Sequence, residues 1–223
     1  MAKVSRRRPY VVAKSAQTLD GKVAAANGRS QWITSSQTRI FARQRRDRFK
    51  AIMTGAETVI KDNPRLTGVR RGNLIKVVVD STLRVSPRAK VFQLPELCWL
   101  ATTRRADSKR IRRFEAMGVR VVLCPRRRDR VSLPFLFDQL ARAGLEKVLI
   151  EGGPTLIGQA LRDGLVDSMD IYIAPKIMGD NAALDSVVGL PALAVTRLYR
   201  LTNLKIKRIN PDILVQGDVH RNR

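Results

Sequence analysis

Short apolar runs alternate with helix-like segments along most of this chain, and that alternation limits the folds open to it. PYVVAKSAQ (9–17) reads as a strand, closed by the turn residues Asp20-Gly21, with Asn27-Gly28 marking a second tight turn. A first helix is expected over 36–48 behind a Ser/Thr cap, and AIMTGAETVI reads as a strand crossing into a helical turn. IKVVVD (75–80) is a β-branched run of the kind buried on both faces of a sheet. CWLAT, SKRIRRFEAMG, VRVVLC, LPFLFDQLARAG and KVLIEGG then alternate strand and helix, followed by a helix over about 154–163 and a strand at MDIYIAPKIMG. Strands and helices at this spacing predict an α/β fold with a mostly parallel central sheet covered by helices on both faces. Two more strand candidates, near 195–209 and 212–219, have no helix between them and predict an antiparallel C-terminal edge.

At 223 residues the chain fits one domain able to bury about 70% of its unfolded surface. The expectation is a single domain over 1–223 with its core at about 9–220. Lys and Arg number 43 against 19 Asp and Glu, a formal charge of +24. A field of that sign attracts nucleic acid, phosphorylated ligands or acidic surfaces. The 31 arginines are scattered through every segment, however, and aromatic residues make up only 5% of the chain, too few to interleave as a base-stacking platform. A solvated basic surface is the simpler reading, and specific nucleic-acid binding is not expected. The two cysteines, Cys98 and Cys124, lie at apolar runs and read as buried small hydrophobes; the single histidine is His220. Most zinc sites are thereby excluded, a Ser-His-Asp triad built on a histidine so near the C-terminus is not expected, and neither is a metal. No apolar run reaches the roughly 20 residues of a membrane span, and no signal-peptide core opens the chain, so a cytoplasmic protein is expected.

In open parallel sheets ligands bind beyond the carboxyl ends of the strands, which here points to Lys14–Ala16, Asp80-Ser81 and Glu151–Pro154. VLIEGGPTLIGQAL (148–161) is the most informative of these stretches. Its glycines allow a sharp turn and close approach of a ligand, and Pro154 suits the first helical position. The helix N-terminus beyond, with the amides of Gly153, Thr155 and Leu156, favours a phosphate. Because a carboxylate that finishes an apolar strand is costly to bury unless paired or functional, Glu151 becomes a candidate site residue. TLDGKVAAANGRSQWITS (18–35) gathers Ser30, Trp32, Thr34 and Ser35; GAETVIKDNPRLT (55–67) places Thr58 and Thr67 around an Asp62-Asn63-Pro64 turn. Arg70 and Arg71 follow, and either suits bidentate contact with a phosphate.

The combination KSAQTLDGK, SQWITS, TVIKDNPRLT, VVVDS, VLIEGGPTL and IYIAPKIMGD resembles, in the same order, the reductase half of the bifunctional riboflavin-biosynthesis deaminase/reductases. The resemblance implies a dihydrofolate-reductase-like three-layer sandwich, NADPH as cofactor and a homodimer. It implies reduction of the ribosyl group of 5-amino-6-(5-phosphoribosylamino)uracil, or of its still-aminated 2,5-diamino pyrimidinone precursor, to the ribityl chain. Residue by residue it puts NADPH at Ala16, Trp32, Thr58, Asp62, Ser81 and the turn Gly153, Pro154, Thr155, Leu156, Ile157, Gly158 and Gln159. It puts the substrate, a phosphoribosylaminopyrimidine, against Lys14, Ser30, Arg46, Leu66, Arg70 and Glu151. Gly68-Val69 adds a residue to the usual spacing, so Arg71 competes with Arg70 for the phosphate. With eight residues ahead of Pro9 and no HxE…PCxxC zinc signature, a chain without the deaminase is expected. Lys14 and Glu151 are the catalytic candidates: Lys14 would donate or orient a proton while Glu151 anchors hydroxyls or the base edge. Two rivals stay open: a paralogous reductase of the same fold acting on a pterin or another pyrimidine, and a basic nucleic-acid-binding protein.

Overall fold

The computed structural model describes residues 8–70, 72–192 and 194–221, the last without its side chain. In chain order its elements are β1 (Tyr10–Thr18), β2 (Lys22–Ala24), α1 (Ser36–Arg45), β3 (Ala51–Gly55), α2 (Ala56–Asp62) and β4 (Ile75–Val79). Next come β5 (Cys98–Thr102), α3 (Ser108–Ala116), β6 (Arg120–Leu123), β7 (Arg126–Arg127), β8 (Arg130–Val131) and α4 (Leu133–Arg142). The chain ends with β9 (Lys147–Glu151), α5 (Pro154–Arg162), β10 (Ser168–Ala174), β11 (Leu184–Asp185), β12 (Tyr199–Ile209) and β13 (Asp212–Arg221). These elements form two compact units. The first holds the described residues up to Tyr10 together with Asp47–Leu149, and the second holds Val11–Arg46 with the described residues from Ile150 onward.

In the first unit, which holds β9 as far as Leu149, the strands lie in the order β9-β3-β4-β5-β6. The pairs β3–β4, β4–β5 and β5–β6 are all parallel, and helices α2 and α3 return the chain between successive strands. Val77 and Val78 of β4 are fully buried, as a run apolar on both sides requires. In the register Met53 stands beside Val77 and Leu100 beside Val78, and Ile52, Phe114, Leu136 and Phe137 of the same unit are closed to solvent as well. Asp107 caps α3 by accepting the amides of Lys109 and Arg110. Both cysteines are buried as expected, and burial pushes the Cys98 thiol up to about 11 and the Cys124 thiol to about 12.

In the second unit the order is β12-β13-β10-β1. β1 and β10 are parallel, whereas β10–β13 and β12–β13 are antiparallel, so the expected antiparallel C-terminal edge is present. The fold is therefore α/β with mostly parallel strands. Helix α1 is capped by Ser35, whose side chain accepts the Thr38 amide at 3.2 Å. Helix α5 buries Leu156, Ile157, Ala160 and Leu161.

Several boundaries differ from the expectation. Helix α1 ends at Arg45 and continues as a 3₁₀ turn over Arg46–Arg48 instead of running to 48 as α-helix. The MDIYIAPKIMG strand stops at Ala174, because Pro175 has no amide for a ladder and the chain turns there, with the Lys176 amide reaching back to the Ala174 carbonyl. The 195–209 strand starts only at Tyr199, after a 3₁₀ turn over Val195–Arg197. The two-stranded ribbons β2–β11 and β7–β8 were not foreseen; each is two or three residues long and leaves no period to read. No described helix is long and apolar enough to cross a membrane.

Candidate functional site

The second unit brings Lys14, Arg46 and Glu151 together. Lys14 lies in β1, Glu151 closes β9, and Arg46 is the C-cap of α1. Arg46 forks onto the carboxylate, Nε to Oε2 at 2.8 Å and Nη2 to Oε1 at 2.7 Å. Lys14 Nζ stands 3.5 Å from Oε1 and 5.6 Å from the centre of the Tyr172 ring. The Glu151 side chain is 12% exposed. Such burial by itself would raise a carboxyl pKa. The charge of Lys14, then that of Arg46, with their hydrogen bonds, outweigh it and hold Glu151 at about 2. The group is thus a carboxylate at neutral pH, an acceptor and not a proton donor. For Arg46, burial opposes the charge, but the Glu151 carboxylate more than offsets it and the guanidinium pKa is raised.

This pairing revises one expectation. Arg46 entered as a substrate contact, and its fork on Glu151 makes it a partner of the catalytic candidate too. Its neighbour Arg45 mirrors the arrangement on Asp170 of β10, a buried carboxylate 3% exposed, with Nε to Oδ2 at 2.8 Å. Asp170 and Arg45 were missed by the sequence reading. The signal that singled out Glu151, a carboxylate within an apolar strand, is present at Asp170 in MDIYIA as well.

The turn after β9 forms as its residues require. Gly152 and Gly153 both have φ of 76°, in the left-handed region, and Pro154 occupies the first turn of α5. Gly153 offers no side-chain cap, and the first turn carries no acidic residue. The expected cofactor run divides here. Gly153, Pro154 and Thr155 are half-buried, while Leu156, Ile157, Gly158 and Gln159 are buried in the packing of the unit itself. The Leu156 amide, expected to face a phosphate, donates instead to the Gly153 carbonyl at 2.9 Å. Gly158 is fixed by backbone approach, since a Cβ there would lie 2.0 Å from the Val188 carbonyl oxygen.

Other site candidates of this unit lie in β1, at Ala16, and along the segment from β1 to α1. Trp32 is 62% exposed, with the Arg39 guanidinium 4.0 Å from its ring centre and the Lys176 ammonium on its carbonyl, so it is not a core tryptophan. Ala16 and Ser30 are half-buried. Asp20 binds the Met178 and Gly179 amides; its hydrogen bonds, from Thr18 first and then Gly179, lower its pKa to about 2.

The first unit carries Thr58, Asp62, Leu66, Arg70 and Ser81. Thr58 and Asp62 are half-buried residues of α2, which ends with Asn63 in the left-handed region (φ 43°). The Asn63 side chain accepts the Lys90 amide. Leu66 is 4% exposed with φ of 51°, an uncommon conformation for a branched side chain that marks a held loop. Asp47 ties the Val69 and Arg70 amides to its carboxylate, and the chain passes so close that a Cβ on Gly68 would stand 2.0 Å from Asp47 Oδ1. Arg70 is exposed; Arg71, its competitor for the phosphate, lies outside the described residues. Ser81 accepts the Val131 amide on Oγ, and its carbonyl takes the Thr103 hydroxyl at 2.8 Å.

The RibD C-terminal domain family matches residues 9–215. The riboflavin biosynthesis protein RibD of Escherichia coli is 36% identical over 222 residues, covering 92% of this chain and 58% of that protein. The chain thus spans under two thirds of the RibD relatives it matches. The 2,5-diamino-6-ribosylamino-4(3H)-pyrimidinone 5′-phosphate reductase of Methanothermobacter thermautotrophicus is 34% identical, with 95% of this chain and 99% of that protein covered. Among solved structures, Acinetobacter baumannii RibD aligns with a TM-score of 0.84 at 27% identity, over 97% of this chain and 59% of that one. With the match running through nearly every described element, the chain belongs to the RibD C-terminal domain family.

Proposed function

We propose that this chain reduces the ribosyl group of 5-amino-6-(5-phosphoribosylamino)uracil, or of its 2,5-diamino pyrimidinone precursor, to the ribityl chain with NADPH. The observation that carries the reading is the largely enclosed Glu151 carboxylate at a strand end, held between Lys14 and Arg46. The end-to-end match with the archaeal pyrimidinone phosphate reductase supports it, because that protein is of nearly the same extent.

The residues fit a dinucleotide phosphate. Two left-handed glycines, a proline in the first helical turn and no acidic residue or side-chain cap leave the start of α5 open to an anion. Gly153, Pro154 and Thr155 would hold the phosphates, with Ala16, Trp32, Thr58, Asp62 and Ser81 as further cofactor contacts. NADPH, when bound, supplies a hydride to C1 of the open-chain sugar. Lys14 gives a proton to the sugar oxygen or its imine nitrogen as that charge develops. Glu151, fixed as an anion, accepts hydrogen bonds from ribose hydroxyls or the base edge and keeps Lys14 directed. Ser30 and Leu66 are further substrate contacts, and Arg46 and Arg70 contact the 5′-phosphate. The same reading makes the protein a cytoplasmic homodimer.

The test is NADPH oxidation, followed by nicotinamide absorbance, with the aminated and the deaminated pyrimidine side by side. Turnover with one or both is expected, and NADPH left unchanged by either would overturn the proposal.

A further inference from the structure

Arg45 is the last residue of α1 and Arg46 follows it, so their side chains leave the helix end about 100° apart. Each reaches a carboxylate on a different strand. Arg46 takes Glu151 at the end of β9. Arg45 takes Asp170 in β10, with Nε and Nη2 at 2.8 and 2.5 Å from the single oxygen Oδ2. The other oxygen, Oδ1, accepts Gln216 Nε2 of β13 at 2.5 Å. In the sheet register Gln216 stands opposite Asp170, and Asp170 opposite Lys14. One row across three strands therefore carries amide, carboxylate and ammonium, and the ammonium meets Glu151.

We propose that Asp170, acting through Arg45, is a positioning residue that fixes the end of α1 and so sets the Arg46–Glu151–Lys14 group for turnover. The proposal rests on the reductase reading above. Asp170 is no substrate contact: it is 3% exposed, and both of its oxygens are engaged inside the protein. The charged and titratable groups of the cluster are Lys14, Arg45, Arg46, Glu151 and Asp170, with Tyr172 beside Lys14. They amount to three cations and two anions. Neutralising Asp170 leaves Arg45 charged and largely buried without its carboxylate. Glu151 is then the one anion of the cluster, and Arg45 competes for it with Arg46 and Lys14. Misplacing a positioned group by a fraction of its length is enough to cost roughly ten- to a hundredfold in rate.

Asp170→Asn in the full chain tests this, with Arg45→Lys as a second variant that keeps the charge but loses the fork. Two readouts apply to protein verified as folded by circular dichroism: kcat and KM, and the rate at which Lys14 is methylated in the cofactor-free protein, followed by mass spectrometry. The expectation for Asp170→Asn is a kcat lower by about ten- to a hundredfold, KM for NADPH changed by less than about twofold, and severalfold faster Lys14 modification. Arg45→Lys should fall between this variant and the parent, and it carries the test if Asp170→Asn does not fold. A folded variant with parental kcat and parental Lys14 labelling, altered only in melting temperature, makes the pair a plain structural ion pair and overturns the proposal. If the parent protein itself fails to oxidise NADPH, the reductase reading is what fails, and Lys14 labelling still decides the positioning.

Discussion

Glu151 carries most of the argument at the scale of single residues. Replacement by Gln keeps its volume and removes its charge, leaving Lys14 and Arg46 without their shared anion. We expect Glu151→Gln to lower kcat by about a hundredfold or more while the NADPH dissociation constant moves less than about twofold, measured by steady-state kinetics and cofactor titration. The same residue predicts a pH effect. Its folded pKa is depressed from 4.5 to about 2, so its contribution to stability is fully present above 4.5 and is lost as pH falls towards 2. The shift corresponds to on the order of 3 kcal/mol. Denaturant unfolding of the parent should lose stability over that acid window, and Glu151→Gln should show a visibly flatter dependence there. Glu151 was legible in the sequence because a lone carboxylate at the end of an apolar run is conspicuous. Arg46 was not legible from pattern alone: among Arg43, Arg45, Arg46 and Arg48, the choice of partner depends on helix phase at a frayed end. Asp170 could have been found by the same carboxylate criterion, yet it sits mid-strand, where the apolar period hides it.

At the scale of elements, the strands and helices of the alternating pattern were largely legible, and the misses fall where backbone geometry overrides side-chain period. Pro175 cuts β10 short, and the 3₁₀ turn at Arg46–Arg48 shortens α1. Helix α5 illustrates a second limit. Its glycines read as one phosphate-binding device, but only Gly152 and Gly153 adopt the left-handed turn, while Gly158 is small because the Val188 backbone crosses it. The roles can be separated by substitution. Gly158→Ala must push against a carbonyl oxygen 2.0 Å away, so a loss of about 1–3 kcal/mol is expected from chemical denaturation. Gly72→Ala meets nothing within 4 Å and should stay within about 0.5 kcal/mol of the parent. Equal effects at the two sites would remove the packing explanation for Gly158.

At the scale of the molecule, the division into two units was not legible, because each is assembled from separate stretches and the crossing at 46–47 falls inside the uniform run RQRRDR. The charge was legible as a number but not as a role. Several of the 19 acidic residues serve internal ends: Glu151 and Asp170 pair half-buried arginines, Asp47 and Asp20 hold loop amides, and Asp107 caps α3. The excess of basic groups is therefore left to the surface. A positive field of this size should accelerate encounter with phosphorylated substrates without changing the chemistry that follows. Ionic strength separates the two, since salt screens exposed charges over about 10 Å at 0.1 M but leaves buried pairs largely intact. We expect kcat/KM for the phosphorylated pyrimidine to fall as salt rises while kcat stays nearly constant. Nucleic acid should bind weakly, without sequence preference, and lose affinity steeply over the same range. A kcat/KM that ignores salt would mean the arginines do not steer the substrate. A kcat that falls with it would mean that screening reaches the Lys14–Glu151–Arg46 group, contrary to its burial.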